Sequence, residues 1–264
     1  MIDLRLSDAE LDQQRDHIVE FIRQQVDAAG AEGVVLGLSG GIDSTLTARL
    51  LVEAVGVENV HGLVLPGTVS SDENMSDAER VAQNLEIGYD VIELEPIIDS
   101  LLAAYPDAEG DHEAVGNARA RLRALLNYLV ANHERRLVVG TGNRSEAAVG
   151  YFTKYGDGAV DCHPIGNLYK AQVRQLARHM GVAEDLVSKT ATAELWADQT
   201  DEDELGISYE TLDSILATHI DGPLSVAATC RLLEVDEETV KKVRGMYERS
   251  EHKRQAPPAP KPLN

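Results

Sequence analysis

Residues 34–51 read Val-Val-Leu-Gly-Leu-Ser-Gly-Gly-Ile-Asp-Ser-Thr-Leu-Thr-Ala-Arg-Leu-Leu, and this stretch restricts the fold more than any other. An apolar run of strand length breaks at Ser39-Gly40-Gly41, and a helical pattern opens about Asp43. The two glycines allow close backbone approach to an anion, and Ser39 and Ser44 add hydroxyl donors. The helix start then points free N–H groups and the positive dipole end at the same place. The loop lacks the lysine of the Gly-x-x-x-x-Gly-Lys-Ser/Thr phosphate loop and carries Asp43 instead. A carboxylate among phosphates implies a bridging Mg2+. The plainer alternative is a strand-to-helix turn with a capping Ser or Asp, but Ser, Gly, Gly, Asp and Ser all fall together between a strand pattern and a helix pattern.

The surrounding pattern predicts an α/β fold, a doubly wound parallel sheet flanked by helices with a helical C-terminal third. A capping box at Ser7 and Glu10 opens a helix over 7–29. Strands are expected at 33–38, 61–65, 89–94 and 136–139, with helices over 45–55, from about 73 to 87, over 97–104 and over 113–132 between them. Strand–helix alternation without a strand-only run is the signature of a parallel sheet, which binds ligands beyond the carboxyl ends of its strands. A further helix is expected over 168–177, then short helices over 209–217, 224–233 and 237–247.

The length of 264 residues suits one domain, 1–264, with a tail over 251–264. The start has no basic, apolar leader pattern and no run reaches membrane-span length, so a cytoplasmic chain without a membrane partner is expected. The formal charge of −21 repels nucleic acid and anionic lipid alike. Only 7 of the 24 basic residues are Lys and only 2 residues are Phe. An acid excess of this composition resembles that of halophilic proteins, and salt is expected to stabilise the fold by screening. Cys162 and Cys230 have neither disulfide-framework nor metal-ligand spacing.

A second turn repeats the logic of the first. The strand ending at Val139 runs into Gly140-Thr141-Gly142-Asn143-Arg144-Ser145-Glu146, which places a hydroxyl at Thr141 and a carboxylate at Glu146 in a helix start. Capping alone would account for the acid; in a site it would oppose Asp43 across a metal. Residues 151–164 form a long irregular connection rich in polar-binding side chains, too long to be idle in a compact domain. Cys162 and His163 are adjacent, and neighbours in extended chain point apart, which disfavours a nucleophilic dyad. Lys170 opens a helix where its charge opposes the dipole unless it reaches an anion. Arg119 and Arg123 share one helix face, with Arg121 nearly opposite. The loop 66–73 suits either a lid or an ordinary surface turn. The charge run 197–204 is most simply a solvated loop, and 251–260 is by composition a disordered basic, proline-rich tail.

Taken together, Ser39-Gly-Gly-Ile-Asp-Ser44, Gly116-Asn-x-Arg-x-Arg121, Gly140-Thr-Gly to Glu146, Gly150-Tyr-Phe-Thr-Lys-Tyr-Gly-Asp-Gly158, Thr192-Ala-Glu-Leu195, Asp203-Glu-Leu-Gly-Ile-Ser-Tyr209 and Glu251-His-Lys-Arg-Gln255 resemble the NAD synthetase family. The first of these loops is shared by the N-type ATP pyrophosphatases in general; the later motifs are far more restrictive. The resemblance implies a Rossmann-like fold and ATP-dependent amidation of deamido-NAD by ammonia, with NAD, AMP and pyrophosphate as products.

The resemblance also distributes roles. Gly37, Leu38, Ser39, Gly40, Gly41, Ile42, Asp43 and Ser44 correspond to the ATP loop, and Thr141, Lys170 and Thr192 to further ATP contacts. Asp43 and Glu146 correspond to Mg2+ ligands, with Asp43 and Lys170 carrying the catalytic charge. Arg121, Lys154, Asp161, His252 and Lys253 correspond to deamido-NAD positions, and Asp157 falls in the same loop. The tail thereby becomes a flap over substrate. A homodimer with deamido-NAD bound across its interface is implied. The chain has no room for the amidase domain of the glutamine-dependent branch, so free ammonia is the expected donor, supplied in the cell by itself or by a separate glutaminase. Two other readings stand beside this one. One is a different ATP pyrophosphatase, similar to the synthetase half of GMP synthetase or to a tRNA-modifying enzyme; the other is a non-catalytic nucleotide-binding protein, which would not need Asp43, Glu146 and Lys170 together.

Overall fold

The computed structural model describes residues 3–66, 72–192 and 200–261. Helix α1 (Asp8–Ala29) is closed at its start by the Ser7/Glu10 capping box and at its end by Gly30 in the left-handed region. Strand β1 (Val34–Leu38) then leads into α2 (Ile42–Val55). The alternation continues through β2 (Val60–Val64), α3 (Asp72–Asn84), β3 (Gly88–Val91), α4 (Glu95–Ala104), α5 (His112–Glu134), β4 (Leu137–Val139) and α6 (Arg144–Val149). Beyond these come α7 (Lys170–His179), α8 (Glu184–Val187), α9 (Asp201–Leu205), α10 (Tyr209–Ile215), α11 (Val226–Leu233) and α12 (Glu237–Arg249).

The four strands are parallel, in the order β3-β2-β1-β4. The chain therefore winds outward from β1 through β2 to β3 and returns to the other side of β1 with β4. The switch point lies between β1 and β4, where the loops leaving the two strands diverge and open a crevice. Expected and observed strand limits agree closely. Pairing past β3 also persists, since Ile92 N donates to Val64 O at 3.0 Å and Leu94 N to Pro66 O at 3.1 Å.

Side chains alternate across the sheet as the period of two demands. Val34, Leu36 and Leu38 pack with α1, α2 and α7 in one core, whereas Val35, Leu63 and Val138 pack with α4 and α5 in a second. A third core, built on Tyr209, Leu212, Leu216, Val240 and Val243, holds the C-terminal helices together. Both sheet faces are thus covered, which is why β1 is apolar at nearly every position.

Two sequence expectations need correction. Residues 201–205 of the charge run are not a solvated loop: they form α9, capped by Thr200, and Asp201 is only 4% exposed. The run hides a helix because the groups that compensate its buried acid, Lys170 and Tyr209, come from other elements. The tail is not disordered through 251–254. Lys253 Nζ donates to the carbonyls of Gly150 and Phe152, both at 2.7 Å, and Arg254 Nη1 to that of Ala148 at 2.7 Å. Composition misses this because the partners are backbone oxygens distant in sequence. Residues 67–71 of the expected lid and 197–199 of the charge run lie outside the described residues.

Candidate active site

A cleft of about 1010 Å3 opens at the switch point. Its floor is the loop between β1 and α2. Gly40 takes φ +74°, a left-handed conformation that favours glycine. Both serine hydroxyls turn inward and brace the turn: Ser44 Oγ donates to Gly41 O at 3.0 Å, and Ser39 Oγ lies 3.2 Å from Ser44 Oγ and accepts from Gly41 N at 3.3 Å. Gly41 caps α2 without a side chain, so the first-turn amides are left for a ligand.

Across the crevice, Asn143 caps α6 and Glu146 completes the box. Capping and site function coincide here. Glu146 Oε2 accepts from Asn143 N at 3.3 Å, while Oε1 lies 3.2 Å from Lys170 Nζ. Asn143 itself reaches back over the crevice, donating from Nδ2 to Asp43 Oδ1 at 3.0 Å.

Lys170 supplies the charge that the glycine loop lacks. Its side chain is buried, and its Nζ bridges Asp43 Oδ2 at 2.5 Å and Glu146 Oε1 at 3.2 Å. Burial alone disfavours the ammonium, but Asp43 and Glu146 outweigh it and hold Lys170 above the ordinary lysine range. Burial pushes Glu146 up to about 7 against the pull of Lys170, with Asp43 adding to the rise. The backbone of Lys170 is fixed as well: its N–H donates to Ser145 Oγ at 2.9 Å, and Ser145 Oγ donates to Asp213 Oδ1, whose other oxygen accepts from Ala171 N at 2.9 Å.

Behind the lysine stand two residues that sequence reasoning missed. Tyr209 lies under Lys170 Nζ, 5.2 Å from ring centroid to nitrogen, and its hydroxyl donates to Asp201 Oδ2 at 2.9 Å. Asp201 lines the cleft, and burial raises its pKa. Tyr209 belongs to the 203–209 motif, so its presence was signalled though its role was not; Asp201 was obscured by the acids around it. Asn143 was missed as well, although an Asn three residues ahead of Glu146 is a capping-box signal that could have found it.

Of the other predicted positions, Gly37, Leu38, Ile42, Thr141, Asp157, Thr192 and Lys253 line the same cleft. Asp157 accepts from Thr153 N at 2.9 Å, and burial raises its pKa; burial lowers that of Lys253. Five predicted residues are not part of the cleft lining: Gly40 within the glycine loop itself, and Arg121, Lys154, Asp161 and His252. Arg121 is exposed and donates to Lys154 O at 3.4 Å, Lys154 Nζ donates to His252 O at 2.6 Å, and Asp161 accepts from Val138 N at 2.8 Å and Tyr128 OH at 3.1 Å. The three arginines of α5 do separate: Arg119 pairs with Glu95 at 3.1 Å, and Arg123 lines the cleft. Cys162 is buried and its thiol is pushed up to about 11 by that burial, and His163 packs its ring against Gly140. A nucleophilic dyad finds no support in this arrangement.

The arrangement can hold polyphosphate charge. It combines amides at a helix start, a buried ammonium, and two hard carboxylates on opposite walls. Comparison with known proteins gives the family. The NAD synthase family profile matches residues 15–257. The NH(3)-dependent NAD(+) synthetase of Halobacterium salinarum is 61% identical over 259 residues, covering 98% of this chain and 97% of that one. Among solved structures, the NMN synthetase of Francisella tularensis superposes with a TM-score of 0.83 at 34% identity, covering 97% of this chain and 99% of that chain. The NH3-dependent NAD synthetase of Campylobacter jejuni, in complex with nitrate ion, gives 0.79 at 29%, covering 95% and 99%. A family profile spanning nearly the whole chain, together with the glycine loop, the Asp43–Lys170–Glu146 cluster and the parallel sheet that carries them, makes this chain a member of the NAD synthase family.

Proposed function

We propose that the chain amidates deamido-NAD with free ammonia at the expense of ATP, releasing AMP and pyrophosphate. The observation that carries this reading is the bridge from Lys170 to Asp43 and Glu146 at the switch point, in a member of this family. The nicotinate carboxylate oxygen attacks the α-phosphorus, and the bond to the β-phosphate bridging oxygen breaks. Ammonia nitrogen then bonds to the acyl carbon, loses a proton, and expels AMP. No protein nucleophile is needed, so positioning and charge neutralisation are the chain's contribution.

The amides at the start of α2 receive the departing phosphates, and Lys170 neutralises their charge. Thr141 and Thr192 contact ATP. Mg2+ fits this site: Asp43 and Glu146 are hard oxygen donors, and two carboxylates plus phosphate oxygens are the set this ion takes, so the lack of a three-acid cage among the described residues is no obstacle. When bound, the ion supplies charge to the phosphates as they separate. Deamido-NAD is read as lying between the 151–164 loop and the tail, against Asp157 and Lys253.

The residues away from the cleft lining, Arg121, Lys154, Asp161 and His252, are assigned to deamido-NAD bound across a homodimer. The α5 surface supports this. Arg121, Leu125 and Leu129 recur every four residues on one face, and the two leucines are 64% and 63% exposed. A cytoplasmic setting follows from the substrates; among the described residues no helix is long and apolar enough to cross a membrane.

The NMN synthetase neighbour favours one second reading, in which a mononucleotide is the acceptor. Both are tested by pyrophosphate release in ATP and Mg2+ without ammonium, with either deamido-NAD or nicotinate mononucleotide added. Release with the dinucleotide alone supports the proposal; release with the mononucleotide alone replaces it.

A further inference from the structure

Lys170 sits between the two carboxylates that would hold the metal. Its Nζ takes one oxygen from Asp43 and one from Glu146, the same two carboxylates that face each other across the crevice. A divalent cation held by that pair and this ammonium cannot share the space, because like charges at such separation repel strongly in a buried site. Binding of the metal nucleotide therefore has to move the ammonium. A buried ammonium cannot simply be released, since an unpaired charge in the interior is heavily penalised. It needs an acceptor close by.

Asp201 meets that need. It is 4% exposed and lines the cleft, and its Oδ2 is tied to the hydroxyl of Tyr209, the ring on which the Lys170 ammonium rests. Its Oδ1 is buried with no hydrogen-bond partner. Tyr151 stands close enough to Asp201 to lower its pKa, but its hydroxyl proton goes to Glu204 Oε2 at 2.7 Å and leaves Asp201 Oδ1 without a donor. A carboxylate oxygen buried without a donor is costly and rare unless some state of the protein supplies one. Charge counting agrees. Asp43, Glu146 and Asp201 against Lys170 leave a formal −2, which a divalent cation balances while Lys170 turns to the third carboxylate.

We infer that Asp201 is a positioning residue that receives Lys170 when the metal nucleotide takes Asp43 and Glu146, so that the lysine acts as a built-in counter-ion passed between two sets of carboxylates. The inference deepens the proposed function and rests on its metal assignment. In the loaded state Asp201 then aims the ammonium at the phosphates rather than leaving it to compete for the metal's ligands.

Mn2+ binding, followed by electron paramagnetic resonance with and without α,β-methylene-ATP, tests this without turnover. With Mn2+ alone, Lys170→Gln should bind at least about tenfold more tightly than wild type, because the internal cation is gone. Asp201→Asn should weaken Mn2+ binding about tenfold when Lys170 is present and less than about twofold in the Lys170→Gln background. Asp201→Glu, which keeps the charge, should stay within about threefold of wild type. Equal losses in both backgrounds would mean that Asp201 acts on the metal directly and would overturn the inference, as would no loss in either. No Mn2+ binding by wild type with the nucleotide would overturn the metal assignment as well. Because Lys170 is buried and its substitution endangers folding, a crystal structure of wild type with Mn2+ and α,β-methylene-ATP provides an independent arm. Lys170 Nζ within hydrogen-bond reach of Asp201 Oδ1 is expected; Nζ still bridging Asp43 and Glu146 would refute it.

Discussion

Asn143 Nδ2 donates to Asp43 Oδ1 at 3.0 Å, so the residue that caps α6 also aims the carboxylate that opens α2. One side chain thus couples the two loops of the switch point. Asn143→Ala removes a cap and an aim together. Stability should fall by about 1–2 kcal/mol, the cost of a lost helix cap, and kcat/KM by roughly 10–100-fold, as for loss of a partner that orients a metal ligand. Urea melts and steady-state kinetics at varied Mg2+ check both. A stability loss with unchanged Mg2+ dependence would show that the cap matters and the aim does not.

The strands, the glycine loop and the placing of Asp43 and Glu146 at two helix starts of the switch point were legible in the sequence because they depend on local order: an apolar run, glycines at the break, an acid in the first helical turn. Lys170 was legible as a charge opposing its own helix dipole, though its partners were not. Asp201 was not legible at all. Nothing local distinguishes it from Glu202, Asp203 and Glu204; only the fold carries Tyr209 to its side and buries it. The anchoring of 251–254 was hidden for a similar reason, since carbonyl oxygens of α6 and the following loop leave no mark on composition.

Asp213 provides a pH signature of the scaffold. It is fully buried between α6, α7 and α10, and burial raises its pKa from 3.8 to about 6. An acid whose pKa is higher in the folded than in the unfolded chain favours folding most when protonated. Its contribution is therefore complete below about pH 4 and is lost as pH rises through about 6. The shift corresponds to a loss on the order of 3 kcal/mol. Between pH 4 and 7, wild type should lose about that much stability relative to Asp213→Asn, measured by denaturant unfolding at each pH. Parallel profiles for the two proteins would contradict the burial argument.

The exposed leucines of α5 make the assembly testable. Replacing Leu125 and Leu129 together by Glu puts like charges into any symmetric contact on that face. Light scattering should report a dimer for wild type and a monomer for the double variant. If deamido-NAD bridges two copies, its KM should rise about tenfold or more in the variant while that of ATP changes little, since 10-fold corresponds to about 1.4 kcal/mol. A dimer that survives the charges would move the interface elsewhere.

The charge of −21 predicts an unusual response to salt. At about 1 M ionic strength the screening length falls to about 3 Å, shorter than most separations between surface acids. Thermal melts should therefore shift upward by several degrees or more from low to multimolar KCl. An unchanged or lower melting temperature would separate this acidic surface from any adaptation to salt.

Asp43, Glu146 and Lys170 are proposed as the ATP-splitting half of an ammonia-using amidation site. The most direct measurement supplies the folded protein with ATP, Mg2+, deamido-NAD and 15N-ammonium at low and multimolar KCl, and follows AMP, NAD and the isotope by mass spectrometry. Labelled NAD and AMP are expected in equal amounts, falling by roughly a hundred- to a thousandfold in Asp43→Ala, the scale expected when a group central to charge stabilisation is removed. Absence of NAD from folded wild-type protein at every salt concentration, or full turnover by Asp43→Ala, would contradict the proposal.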